Sequence, residues 1–457
     1  MLTHIANGDS HLSLWLRVRE FAVPPSMIET ATVRRRAGDW AAACAAAGFE
    51  VDLDLRSAAR AHGRELAARV RADLRHLAPD LLRWHMPRIA PHGLLRPGLT
   101  ITLARYEVPG RDGGHPVHLV ARTAPAWADA GQRISLALWD GSHTGDPGRR
   151  HPHGRPNRRF RLDLHRHLWD SRRAGELRIR SGADRPPADP PPADAPGHPV
   201  ERWAAEAARV LHAEGRAGGA VTVRLGARDR LRLDLAADAD GPGPPVPRIA
   251  QVPQDADVSA LPVLPDAATW ELPDLELVRA GLIGADRLHP LVAAALLPER
   301  APADRPRSAD PARQAHLVEC RGARHRIGLV DGVLAALDHG PEELGREALL
   351  VALGGPPLPC LQAIDTAHRD PDCLPGVRER LHHGDVAGAL AVVEGLLGPD
   401  AVLRSGALKD ALEAAARRRI TYGLFRAGLF GPGPERLPPR RRRPPDHRSR
   451  PRHTTAR

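Results

Sequence analysis

The chain has 457 residues, 42% of them hydrophobic and 3% aromatic, with 46 prolines, 42 glycines and a formal net charge of +11. That length exceeds one ordinary domain, and the apolar share is enough for packed cores joined by Pro-rich linkers, which excludes a wholly disordered chain. The charge is local: residues 436–457 hold nine arginines against Asp446, a surplus of eight, so the other 435 residues carry +3 and the body is close to neutral.

Lys409 is the single lysine, and Ala, Arg, Gly and Pro stand where Lys, Ile and Asn are common, so arginine richness by itself says little about a nucleic-acid partner. The first residues lack the basic start and apolar run of a signal peptide, and no segment is long enough to span a bilayer. A cytoplasmic location follows as the expectation, with no membrane association and with Cys44, Cys320, Cys360 and Cys373 as thiols.

Residues 1–96 read as a mainly helical region. Pro24-Pro25-Ser26-Met27-Ile28-Glu29 has the spacing of a helix start in which Ser26 caps and Glu29 reaches back. Gly38-Asp39 marks a turn before a small-residue helix that stops at Gly48. Positions 49–55 alternate as a strand, with Val51, Leu53 and Leu55 on one face and Glu50, Asp52 and Asp54 on the other.

Residues 97–182 read as a small antiparallel β unit, with period-two runs at 99–103, 117–121, 134–138, 160–164 and 177–179 between Gly, Pro and Asp loops. Its loop 141–159 is long, basic and exposed. Residues 183–199 are a Pro-rich linker, 200–240 a helix plus hairpin, and 241–312 a Pro-rich connector with short helices.

Residues 313–430 read as an α+β C-terminal domain opening on a three-strand meander. Arg321-Gly322-Ala323-Arg324 turns the first pair, and Asp331-Gly332 is the dipeptide favoured where a hairpin needs positive φ. A helix begins near Pro341, where a missing donor and acidic neighbours suit the first turn. Its Leu344, Ala348 and Val351, widened by Leu349, Leu350 and Leu353, predict burial of most of its circumference against the meander. Further helices are expected near 374–383, 385–396 and 405–422, and residues 431–457 form a disordered Arg-rich tail. The fold class is therefore α+β and multi-domain.

The segments around Gly38-Asp39 and Gly384-Asp385 resemble the Gly-Asp turn between helices of tetratricopeptide-type hairpins, over about ten residues each. No fixed period joins them, so the pair is read as Gly-Asp stopping one helix and capping the next.

Three groups are candidates for chemistry. Glu50, Asp52 and Asp54 share one strand face and form a candidate hard-cation site, weighed against a solvated strand edge. Cys320, Cys360, His368 and Cys373 have zinc-ligand chemistry without any CxxC spacing, and buried thiols account for them more simply. Arg440, Arg441, Arg442, Arg443, Arg448, Arg450 and Arg452 would neutralise phosphates without base specificity, because no aromatics are interleaved.

No nucleophile elbow, phosphate-cradling Gly-rich loop or zinc-protease helix occurs, and no cofactor is implied. The expectation is a non-catalytic accessory subunit that binds a protein partner through its terminal helices and β-unit loops. A nucleic-acid-associated protein using the tail and a metal-dependent enzyme are the alternatives.

Overall fold

The computed structural model describes residues 8–107, 116–128, 132–141, 151, 154–185, 198–226, 229–236, 248–252, 258–299 and 316–429. The fold is mixed α+β. Helices α1 (Gly8–Phe21), α2 (Pro25–Arg36) and α3 (Trp40–Ala46) lead into a short strand, β1 (Phe49–Val51). Then come α4 (Leu55–His62), α5 (Arg64–His76), α6 (Pro79–His85) and a small pair, β2 (Arg88–Ile89) and β3 (Leu94–Leu95).

Helix α2 starts two residues earlier than a Ser26 cap predicts. Pro24 in extended conformation is its cap and Pro25 its first residue, so no Ser26–Glu29 box forms. The Ser26 carbonyl instead accepts from the Thr30 hydroxyl at 2.8 Å. Asp39 does cap α3, accepting from the Ala42 N–H at 3.0 Å after Gly38 at φ 79°.

Strands β4 (Thr100–Tyr106), β5 (Val117–Thr123) and β6 (Ile134–Trp139) form an antiparallel sheet, and β1 joins it in parallel, Phe49 opposite Ile134, giving the order β1-β6-β5-β4. β4 is buried at every position but Arg105, so the sheet is covered on both faces and reads as near-continuous apolar runs.

The last two expected strands are not strands. Segment 160–164 meets β4 only at a Thr102–Arg161 bridge, and its alternation instead buries Phe160 and Leu162 beneath the sheet. Residues Leu177–Ser181 are helix α7: Leu177 is buried with Ser181 four residues on, while Ile179, on the other face, is 68% exposed. One core gathers α1, α5, α6, this sheet, Leu168, Trp169 and the stretch 277–296.

A second core lies between α8 (Val200–Ala213), β7 (Gly219–Arg224) and β8 (Arg230–Leu235), with β9 (Arg248–Gln251) an exposed edge strand beside β8. The chain returns along β7, where Thr222 N–H donates to Pro262 and Leu264 N–H to Thr222. It continues through α9 (Asp266–Thr269), α10 (Pro273–Arg279) and α11 (Pro290–Leu296).

The meander is β10 (His316–Cys320), β11 (Ala323–Val330) and β12 (Val333–Ala336), in that order. Asp331 and Gly332 sit at φ 48° and 75°, the mirror-image turn that matches strand twist. The first hairpin closes on Arg321-Gly322 alone, at φ 53° and 80°, because Cys320 already pairs with Ala323.

Helix α12 (Pro341–Ala352) overturns the expected packing. Glu347 is its one buried residue, and Leu349, Leu350 and Val351 are 64%, 49% and 39% exposed. Its place over the meander is taken by α13 (Pro359–Arg369), whose Cys360 and Ile364 enter the C-terminal core. Behind it stand α14 (Leu374–His383), α15 (Val386–Leu397), which Asp385 caps through the Gly388 N–H at 2.9 Å, and α16 (Ala407–Arg426).

Two buried arginines tie these layers together. Arg83 donates to the carbonyls of Ala22, Gln132 and His383, at 3.0, 2.7 and 2.8 Å, joining the first core to α14. Arg19 lies between Trp15 and Trp84 and pairs with Asp274 at 2.8 Å.

Candidate functional site

A cleft of about 680 Å³ opens where the first and second cores meet. Among the described residues six arginines line it and no acidic residue does: Arg96, Arg155, Arg158, Arg159, Arg224 and Arg230. Arg96 follows β3. Arg155, Arg158 and Arg159 come from the segment before Phe160, which Asn157 fixes by donating its N–H to the Thr100 carbonyl at 2.9 Å. Arg224 and Arg230 face each other across the β7–β8 hairpin.

One of the six is neutralised. Arg159 forks onto Asp266 at 2.9 and 2.7 Å, and burial raises that carboxyl against the pull of Arg159. Arg158 donates to the Ser259 carbonyl at 2.9 Å. Arg96, Arg155, Arg158, Arg224 and Arg230 make no ion pair among the described residues.

Burial, and then the Arg159 charge, lower the Arg96 guanidinium, with Asp266 opposing. Burial, Arg159 and Arg230 lower Arg224. Arg96 Nη1 and Arg224 Nε are buried without hydrogen-bond partners. Crowded cations with donors to spare are a chemical description of an anion site, and planar guanidinium forks match phosphate oxygens.

The strand expected over 49–55 stops at Val51, so Glu50 alone of the three acids lies on it, and the three do not form an open carboxylate cluster. Glu50 accepts from Tyr422 at 3.0 Å and lies 2.7 Å from Arg426 Nε, and Asp52 accepts from Arg426 Nη1 at 2.7 Å. Asp54 caps α4, taking the N–H groups of Arg56 and Ser57 at 3.1 and 3.0 Å. These bonds, with the Ser57 hydroxyl foremost, hold its carboxyl below the usual range.

Of the four predicted zinc ligands the structure brings two together, Cys320 and Cys360, and adds His339. His368, in the last turn of α13, and Cys373, the residue before α14, do not join them. Arg440, Arg441, Arg442, Arg443, Arg448, Arg450 and Arg452 lie outside the described residues, as do 142–150 of the basic loop and most of the Pro-rich linkers.

The basic character of the loop before Phe160 was visible in the sequence. Arg96, Arg224 and Arg230 carried no signal there, because only the approach of the hairpin to the β3–β4 connection makes them neighbours. No helix among the described residues is long and apolar enough to cross a membrane. Compared with known proteins, the chain matches no protein-family model, no curated protein and no solved structure.

Proposed function

We propose that this protein is a non-catalytic accessory protein that holds a phosphate-bearing strand, a single-stranded nucleic acid, in the arginine cleft. The observation that carries the reading is the set of five arginines without a carboxylate partner among the described residues around one concavity. Among the described residues the lining contributes cations, the hydroxyls of Thr100, Thr222 and Ser259, and no aromatic ring, so it suits backbone phosphates rather than stacked bases. Binding of this kind is weakly sequence-selective and falls steeply with salt. A cytoplasmic location agrees with free, buried Cys44, Cys320 and Cys360.

The test uses the full chain and a fluorescent oligothymidylate, with anisotropy read over a salt series. Arg96→Ala/Arg224→Ala/Arg230→Ala should weaken binding and flatten the salt dependence by about 2 in log–log slope. Replacing Arg440–Arg443 by serine should leave most of the affinity. If only the tail variant loses binding, the cleft is not the site.

A second reading, a protein partner, has its own support at the end of α12, where Leu349, Leu350, Val351 and the following Leu353 stand exposed. Leu349→Glu/Leu353→Glu should abolish co-purification of that partner without lowering oligonucleotide affinity; retention of both would remove this reading.

A further inference from the structure

One end of the meander gathers three side chains that the cleft does not use. Cys320 closes β10, Cys360 is the second residue of α13, and His339 stands between β12 and α12. Their donor atoms all lie within 4.8 Å of one another. Register explains the meeting: Cys320 pairs with Ala323, while Ile327 pairs with Ala336, so extending the β11–β12 ladder sets position 339 beside 324. Both residues reach the same end of the sheet, and the first turn of α13 covers them.

The two thiols hydrogen-bond each other, while the imidazole beside them has no hydrogen-bond partner. Both thiols are fully buried, and the His339 side chain is 3% exposed with no hydrogen bond on either ring nitrogen. A buried imidazole with no hydrogen bond on either nitrogen is costly to leave so, and the arrangement asks for a ligand. Its Nδ1 lies 3.2 Å from Glu343 Oε2, and the His325 ring stacks on it with centroids 4.4 Å apart and planes at 12°. A carboxylate behind one ring nitrogen leaves the other as a donor and fixes the ring plane, the outer-shell arrangement of metal-bound histidines.

We infer that Cys320, His339 and Cys360 bind a zinc ion as two thiolates and one imidazole, with solvent in the fourth position. Tetrahedral zinc holds sulfur at about 2.3 Å and nitrogen at about 2.0 Å, which spaces the donors roughly 3.5–4 Å apart, so rotations of the three side chains close the shell. Each thiol gives its proton to solvent on binding. The ion fastens β10, the β12–α12 connection and α13 to one point. His368 is excluded by distance, since eight residues of helix separate it from Cys360 by about 12 Å.

The experiment uses the untagged, reduced full chain, loaded with zinc, desalted and measured by mass spectrometry of the metal. Stoichiometric zinc is expected, falling about tenfold or more in Cys320→Ser, Cys360→Ser and His339→Ala, and kept in His368→Ala and Cys373→Ser. Cobalt(II) added to the wild-type chain should give a near-ultraviolet thiolate charge-transfer band, a readout that does not depend on any variant folding. A wild-type chain that retains no zinc and gives no such band overturns the inference. So does full retention by the three variants, or a Cys320–Cys360 disulfide found by thiol counting in the zinc-loaded protein.

Discussion

Arg426, in the last residue of α16, closes on Asp52, 374 positions earlier in the chain, with its Nη1 donating at 2.7 Å. The same guanidinium lies 2.7 Å from Glu50 at its Nε, and Tyr422 adds a bond to Glu50 one helical turn away. Phe425 packs edge-on against Trp127, so a charged clasp and a small apolar patch fasten α16 to the first sheet together. Asp52 raises the Arg426 guanidinium further, and burial, with Glu50, raises the Tyr422 hydroxyl.

Because this clasp is half-exposed, its removal should be mild. Arg426→Ala is expected to lower stability by about 0.5–1.5 kcal/mol and to speed amide exchange in the last turns of α16, measured by hydrogen exchange with mass spectrometry. Since the acidic face is already neutralised, added calcium should not raise the melting temperature of the wild-type chain. A saturable calcium-dependent rise that Asp52→Asn removes would restore the cation-site reading.

Arg19 and Asp274 are a different case. Their side chains are 2% and 0% exposed, Arg19 Nη1 donates to the Trp84 carbonyl at 2.8 Å, and Trp84 Nε1 donates to Asp274 at 3.1 Å. Deleting one partner strands the other charge among indole rings. Asp274→Ala should therefore cost about 3–5 kcal/mol in urea unfolding, whereas Arg19→Met/Asp274→Leu should recover much of that loss. Equal losses in the single and double variants would show that the pair itself, rather than an uncompensated charge, carries the stability.

Much of what could be read from the sequence divides along the range of the forces, with the Ser26–Glu29 box, displaced by Pro24 as the cap, a local exception. The Asp331-Gly332 turn and the caps at Asp39 and Asp385 depend on residues within four positions of one another, and all three are found. The burial of α12 was misread because its apolar stripe says that a surface is available and not who covers it; α13 brings Cys360 and Ile364 to the meander instead. The same limit hid His339, which stood in a stretch read only as a helix start. Pairing Cys320 with it needs the register of two hairpins, and placing Cys360 there needs a helix crossing no local pattern specifies.

Glu276 supplies a pH test. Burial, with Glu271 beside it, pushes the Glu276 carboxyl up to about 8, against Arg279, and His11 Nδ1 lies 3.4 Å away. A carboxyl whose folded value exceeds its unfolded value of about 4.3 favours the folded state in its protonated form. That contribution is whole below about pH 4 and is lost as pH rises through about 8. Glu276→Gln should match the wild type near pH 4 and exceed it by roughly 2–4 kcal/mol near pH 9, in chemical unfolding followed across pH. A difference that does not change with pH would mean that Glu276 is ionised in the fold throughout.

The arginine cleft makes the sharpest prediction, because binding and stability should move in opposite directions. Arg224 and Arg230 are a directly opposed like-charge pair, and Arg224 Nε is buried without a partner. Arg224→Gln removes one of the crowded charges and keeps a polar side chain of similar reach, so the unliganded chain should gain about 0.2–1 kcal/mol. Oligonucleotide binding should weaken, with the log–log salt slope reduced by about 0.7–1. The stability gain should fade at high salt, where screening quiets the repulsion in the wild type as well. A variant that binds less tightly yet melts no higher at low salt would mean that Arg224 is held by contacts worth more than the repulsion, and that the cleft is not kept at a cost for the sake of an anion.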